Sequence, residues 1–217
     1  MKERPILFSA PMVRALLDGT KTQTRRVVKP RPDWAMGKRC MLQPHELAGE
    51  VNQGEYSNCP YGQPGDRLWV RETWCGEIDG HTSQLIYNED GNTYKCLYRA
   101  DGHHVVLDDG DGFTKTNKDG SEASPWKPSI HMPRWASRIT LEITGVRVER
   151  LQDISKADAQ AEGIVPDGDG GWHLADTRHY MGDPISSYAS LWEYINGPDS
   201  WDLNPWVWVI EFKKVPV

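Results

Sequence analysis

Five positive charges, Lys21, Arg25, Arg26, Lys29 and Arg31, fall in a run from Gly19 to Pro32 that holds no acidic residue. The protein as a whole carries a net charge of −6, so this concentration is local. Such a segment suits the floor of a site for an anionic or nucleotide-like ligand. The guanidinium fork of Arg26 matches a phosphate or carboxylate and could anchor one; the competing reading is a salt bridge to Glu72 or another acid. Arg25 and Lys29 read as phosphate contacts or as solvated charges. A second group stands in Trp69-Val70-Arg71-Glu72-Thr73-Trp74. A carboxylate between tryptophans can read the polar edge of a base while a ring stacks on its face. Strand alternation would put Val70, Glu72 and Trp74 on one side. The plainer alternatives are a Glu72–Arg pair at a barrel mouth, and Trp69 and Trp74 as core or rim aromatics.

Other constellations carry less. Ser129, His131 and Arg134 lie on a proline-bracketed segment, but no Ser-His-Asp order suggests a triad. The four cysteines, Cys40, Cys59, Cys75 and Cys96, include no Cys-x-x-Cys pair. Reduced thiols are the expectation, with a split metal site from Cys40, His45 and Cys59 as the alternative. Asp108 to Asp111 lacks the liganding period of a calcium loop. No cofactor or metal is implied.

Composition narrows the class. With 217 residues, 38 % hydrophobic and 26 % charged, the chain suits one large globular domain or two small ones. The acidic balance argues against a general nucleic-acid coat, which draws on many phosphate-neutralising side chains. The absence of a signal-length or membrane-spanning apolar run leads us to expect a cytoplasmic protein with no membrane partner.

The elements that must position these residues can be read in order. Pro5 to Phe8 reads as a strand. Pro11 suits the first turn of a helix, Met12, Val13, Leu16 and Leu17 mark its face, and Gly19 its end. Lys21 to Arg26 then reads as a loop or strand entry and Val27-Val28 as a short strand. Residues 33 to 65 read as irregular. Arg67 to Trp74 reads as a strand. In the stretch 75–135, Leu85 to Tyr87 and Tyr94 to Ala100 suggest a ribbon, Asp101 to Ser124 a loop, and Trp126 to Trp135 a return of order. Arg138 to Leu151 alternates strongly, with Gly145 signalling a bulge or bend. Ser155 and Asp158 suit a helix start for Lys156 to Glu162, which stops at Gly163. Ser187 to Asn196 reads as an amphipathic helix and Trp206 to Lys213 as the last strand. No glycine-rich phosphate loop follows a strand, which argues against a doubly wound sheet.

Gly19-x-Lys21-x-x-Thr24-x-Arg26 resembles the Gly-x-Lys-x-x-Thr-x-Arg motif of the ASCH domain, a relative of the PUA barrel. Gly65-Asp66-x-Leu68-x-Val70, Ile154 to Gly163 and Trp208 to Lys213 resemble further segments of that domain, in the same order. The chain is also similar to ASCH proteins of bacteriophages and prophages, which carry a central insertion. The resemblance covers roughly residues 1–74 and 136–217. It implies a single α+β domain, a small PUA-like β-barrel with peripheral short helices and an irregular insertion at about 75–135. It also implies a cleft for a nucleoside, RNA or modified DNA. Some small bacterial members hydrolyse the acetyl amide of N-acetylated cytidine with a Lys, a Thr and a Glu. Carried over by motif, these are Lys21, Thr24 and Glu162. A threonine hydroxyl needs an adjacent base, and a desolvated lysine near Arg25 or Arg26 would release its proton more readily. Glu162 would orient Lys21 or donate a proton. The competing readings are a Lys21–Glu162 ion pair that only braces the loop, a non-catalytic RNA or modified-DNA binding module, and a phage protein-interaction module using the insertion.

Overall fold

The computed structural model describes residues 1–29, 31–35, 38–76, 86–89, 91, 95–102, 126–174 and 180–216, with backbone alone for 31–35, 38–42 and 180–181. Strand β1 (Glu3–Leu7) leads into helix α1 (Ala10–Leu17), which starts with Pro11 in its first turn and buries Met12, Val13, Ala15 and Leu16. Gly19 adopts φ +78°, a left-handed conformation that lets the chain reverse after the helix. Strand β2 follows at Gln23–Val27, earlier than the expected Val27-Val28. Pairing with the final strand decides this: its ladder runs from Gln23↔Glu211 to Val27↔Val207, so Thr24 and Arg25 lie within a strand.

Residues 33 to 65 are more ordered than expected. Strands β3 (Arg31–Ala35) and β4 (Lys38–Leu42) pair antiparallel, and helix α2 spans Pro44–Asn52. That helix has Pro44 in its first turn, a capping box between Gln43 and Glu46, and a narrow buried stripe of Leu47 and Val51. Two apolar positions one turn apart are a faint signal in sequence.

The expected strand from Arg67 to Trp74 is broken at Glu72-Thr73 into β5 (Arg67–Arg71) and β6 (Trp74–Gly76). Strand β7 (Cys96–Tyr98) pairs with β6, and the Lys95 N–H just before it donates to Ile86 O at 2.8 Å, a link between the two segments expected to form a ribbon. Leu85, Tyr94 and most of the expected loop lie outside the described residues. Short 3-10 turns at Ser129–His131 and Arg134–Ala136 precede β8 (Thr140–Arg150). Helix α3 (Lys156–Ala161) carries the expected Ser155–Asp158 capping box. Strands β9 (Ile164–Pro166), β10 (Gly171–Leu174) and β11 (Tyr180–Met181) form a small antiparallel sheet. Helix α4 runs from Pro184 to Asn196, three residues longer at its start than expected, because Asp183 caps it through the N–H groups of Ile185 and Ser186. Strand β12 (Trp206–Val215) comes last in chain order and lies inside the main sheet, between β8 and β2.

That sheet has the order β1-β5-β8-β12-β2, with β1 and β5 parallel and the other neighbours antiparallel. The class is therefore mixed α+β. The closed barrel expected from sequence is not formed among the described residues: β1 and β2 are both edges of the ladder. The edges nonetheless meet through a side chain, since Arg26 Nη2 donates to the Leu7 carbonyl at 2.6 Å. The bulge expected at Gly145 is present, opposite the register shift between Glu211 and Phe212. The main core joins Val13 and Leu16 of α1 to Leu68, Val70, Leu141, Ile143 and the central residues of β12. A smaller core of Trp74, Met132 and Ala136 anchors the segment that precedes β8.

Candidate functional site

The end of α3 and the start of β2 are brought together by backbone as well as side chains. Lys21 and Glu162 form an isolated antiparallel bridge, and the Thr22 N–H donates to Ala161 O at 2.7 Å. Gly163 makes the approach possible. Its φ is +100°, and a Cβ there would lie 2.9 Å from Leu174 Cδ1 and 3.3 Å from Lys21 Cβ. Only glycine meets both demands without strain.

The side chains complete the junction. Lys21 Nζ donates to Glu162 Oε2 at 2.7 Å and to the Glu162 carbonyl at 2.9 Å, with both side chains buried. Burial pushes the Lys21 ammonium below its usual range, against the opposing pull of Glu162. Arg25 Nη1 reaches Glu162 Oε1 at 3.3 Å, and Arg25 Nη2 lies 2.6 Å from Glu149 and 3.6 Å from Asp158. Arg147 bridges Glu149, Asp158 and Glu211. Burial raises the Asp158 carboxyl, but hydrogen bonds from Ser155 and the charges of Arg147 and Arg25 outweigh it and hold the group at about 2.

Beside this network lies a shallow cavity of about 50 Å³, opening into a mouth that brings the free space to about 410 Å³. Thr24, Arg25, Arg26 and Glu162 line its polar side. Helix α4 supplies the other side through Tyr188, Leu191, Trp192 and Ile195, spaced to share one helical face. The Thr24 hydroxyl makes no hydrogen bond to a described residue, and the Arg25 Nε and Trp192 Nε1 donors are buried without partners. Arg26 has no carboxylate partner among the described residues; its guanidinium rests 5.3 Å from the Phe8 ring centroid.

The structure thus gathers Lys21, Thr24, Arg25, Arg26 and Glu162 into one neighbourhood. Lys21 itself does not line the cavity; Glu162, which it holds, does. Of the positive charges read from sequence, Lys21 and Arg25 are matched and, with Arg147, face Glu149, Asp158, Glu162 and Glu211. That balance gives little pull on a long polyanion.

Glu72, Trp69 and Trp74 do not line this cavity. Glu72 pairs with Arg138, not Arg26, through two bonds of 3.0 Å, and burial pushes its carboxyl up. Arg138 also holds Asp101, tying the turn after β7 to the start of β8. Trp74 is buried in the smaller core, and Arg71 covers Trp69 at 5.3 Å. Val70, Glu72 and Trp74 are each buried, but the break at Glu72-Thr73 puts Val70 in the main core and Trp74 in the smaller one. Arg134 pairs with Glu3 at 3.0 Å, and His131 is exposed. Cys59, Cys75 and Cys96 are in no disulfide; the Cys40 side chain lies outside the described residues, and no His, Cys, Asp and Glu cluster among those described could hold a metal.

Tyr188 and Glu149 were not singled out in sequence, and Asp158 and Trp192 were read only as a helix cap and as part of an apolar helix face. The α4 face carries a readable spacing, and Arg147 and Glu149 alternate along β8, but neither pattern says which partner it will meet. The chain matches no family model, no curated protein and no solved structure. No helix among the described residues is long and apolar enough to cross a membrane.

Proposed function

We propose that the domain is of the ASCH, PUA-like type and that its cavity recognises a nucleoside-type base and hydrolyses an amide on it. The observation that carries this reading is the meeting of Thr24 and Glu162 on one cavity wall, with Lys21 fixed 2.7 Å from Glu162 behind them. These are the residue types that the motif resemblance pairs with deacylation of N-acylated cytidine.

In this scheme Thr24 Oγ attacks the acyl carbonyl carbon and its proton passes to Lys21, the base made more willing to be neutral by burial. The carbon–nitrogen bond breaks, and the same proton, relayed through Glu162, reaches the leaving amine of the base. Water then hydrolyses the Thr24 ester, giving the carboxylic acid and restoring the hydroxyl. Arg26, which has no carboxylate partner among the described residues, holds the anionic or carbonyl part of the ligand at the mouth.

A second reading, a binding module for RNA or modified DNA, is favoured by one observation: Lys21 is engaged twice by Glu162 and stands off the cavity wall. Incubation with a panel of N-acylated nucleosides separates the two. The hydrolase reading expects the wild-type protein to release the free base nucleoside, and Thr24→Val to lose at least about 10³-fold in rate while still binding, since covalent catalysis vanishes with the nucleophile. Retained binding with no turnover by the wild type would leave the binding module standing.

A further inference from the structure

Helix α4 places one hydroxyl in the cavity wall that the hydrolysis scheme does not use. Tyr188 is 4 % exposed and lines the cavity. No described residue hydrogen-bonds its hydroxyl. A phenol hydroxyl with no partner among the described residues, on a side chain that lines a cavity beside the buried, unpartnered Arg25 Nε and Trp192 Nε1 donors, marks a place where a ligand acceptor fits. The ring is fixed on three sides. Trp192 lies at 6.3 Å, Trp201 stands edge-on at 6.4 Å, and the Arg25 guanidinium sits 5.9 Å from the ring centroid. A donor held that firmly needs little reorganisation when charge develops on a substrate.

We propose that Tyr188 donates the hydrogen bond that stabilises the oxyanion formed when Thr24 attacks the acyl carbonyl, an assignment that rests on the hydrolase reading. The chemistry is one-sided. Burial, reinforced by Glu162, pushes the phenol well above its ordinary range, against the pull of Arg25 and Arg26. The hydroxyl therefore stays protonated and acts as donor, not as base. It transfers no proton: the electron pair of the carbonyl moves to oxygen on attack, is held by the phenol, and returns when the carbon–nitrogen bond breaks. The substrate class follows as an amide whose carbonyl enters beneath α4, with the base directed toward Arg26.

Tyr188→Phe removes the donor and keeps the ring. On the full chain, kcat should fall about 10²–10³-fold with KM little changed, the loss typical of one oxyanion donor. A merely structural tyrosine would instead lower the melting temperature or shift both constants together. A thioamide substrate supplies the second measurement, because sulfur accepts hydrogen bonds poorly. The wild type should be slowed by the oxygen-to-sulfur change, and Tyr188→Phe should be slowed less. Unchanged kcat in Tyr188→Phe, or an equal sulfur effect in both proteins, overturns the assignment while the hydrolase reading survives. Absence of wild-type turnover overturns both.

Discussion

Lys21→Met is the substitution with the largest calculable consequence. It removes a cation whose side chain is fully buried and leaves Glu162, 3 % exposed, without its 2.7 Å partner. Breaking a buried pair from one side costs about 3–5 kcal/mol, because the remaining charge is left uncompensated. Arg25 stays 3.3 Å from Glu162, which favours the lower end. For a chain of this length, roughly 3 kcal/mol corresponds to a fall of about 6–12 °C in melting temperature. The double variant Lys21→Met/Glu162→Met removes both charges and should recover most of the loss, since apolar replacement of a buried pair is often close to neutral. Urea unfolding followed by tryptophan fluorescence measures all four corners of the cycle. A Lys21→Met protein within about 0.5 kcal/mol of wild type, the scatter of an ordinary surface change, would refute the bracing argument.

The remaining expectations are more local. Gly163→Ala should destabilise by about 2–4 kcal/mol, combining left-handed strain with crowding against Leu174 and Lys21; a melting temperature unchanged from wild type would contradict it. Asp158, held at about 2 against an ordinary 3.8, contributes stability that is complete above about pH 4 and is lost as pH falls toward 2. Asp158→Asn should flatten that acid limb in urea midpoints measured across the range, and an identical slope would argue against it. Arg26→Ala should leave the unliganded fold within about 1 kcal/mol of wild type yet weaken a nucleoside monophosphate about 10–100-fold, the worth of a charge-assisted hydrogen bond. Calorimetry with and without added salt measures this, and equal affinity in both proteins would count against it.

Local grammar carried much of the fold in the sequence. Pro11, Gly19, the Ser155–Asp158 cap, Gly145 and the alternation of Thr140 to Arg150 each mark a feature that the structure contains. Two things were not legible. Helix α2 rests on Leu47 and Val51 alone, too thin a stripe to stand out. The extent of β2 depends on β12, whose partners lie 180 residues away at Val27↔Val207 and 188 at Gln23↔Glu211, and a long-range ladder leaves no local trace. The site divides in the same way. Lys21, Thr24, Arg25 and Arg26 are adjacent in sequence, and the motif named Glu162. Arg25 looked like a surface cation because nothing in its neighbourhood announces Glu149, Asp158 and Tyr188. Arg26 and Glu72, weighed as partners, go separate ways because Arg138 reaches Glu72 first.

Intact-mass measurement after a single turnover with an N-acylated cytidine tests the central claim most directly. The expected result is a transient gain of one acyl group, mapped by peptide digestion to Thr24, abolished in Thr24→Val and discharged by water in the wild type. Turnover that proceeds equally in Thr24→Val, or an absence of both adduct and product in the wild type, would contradict it.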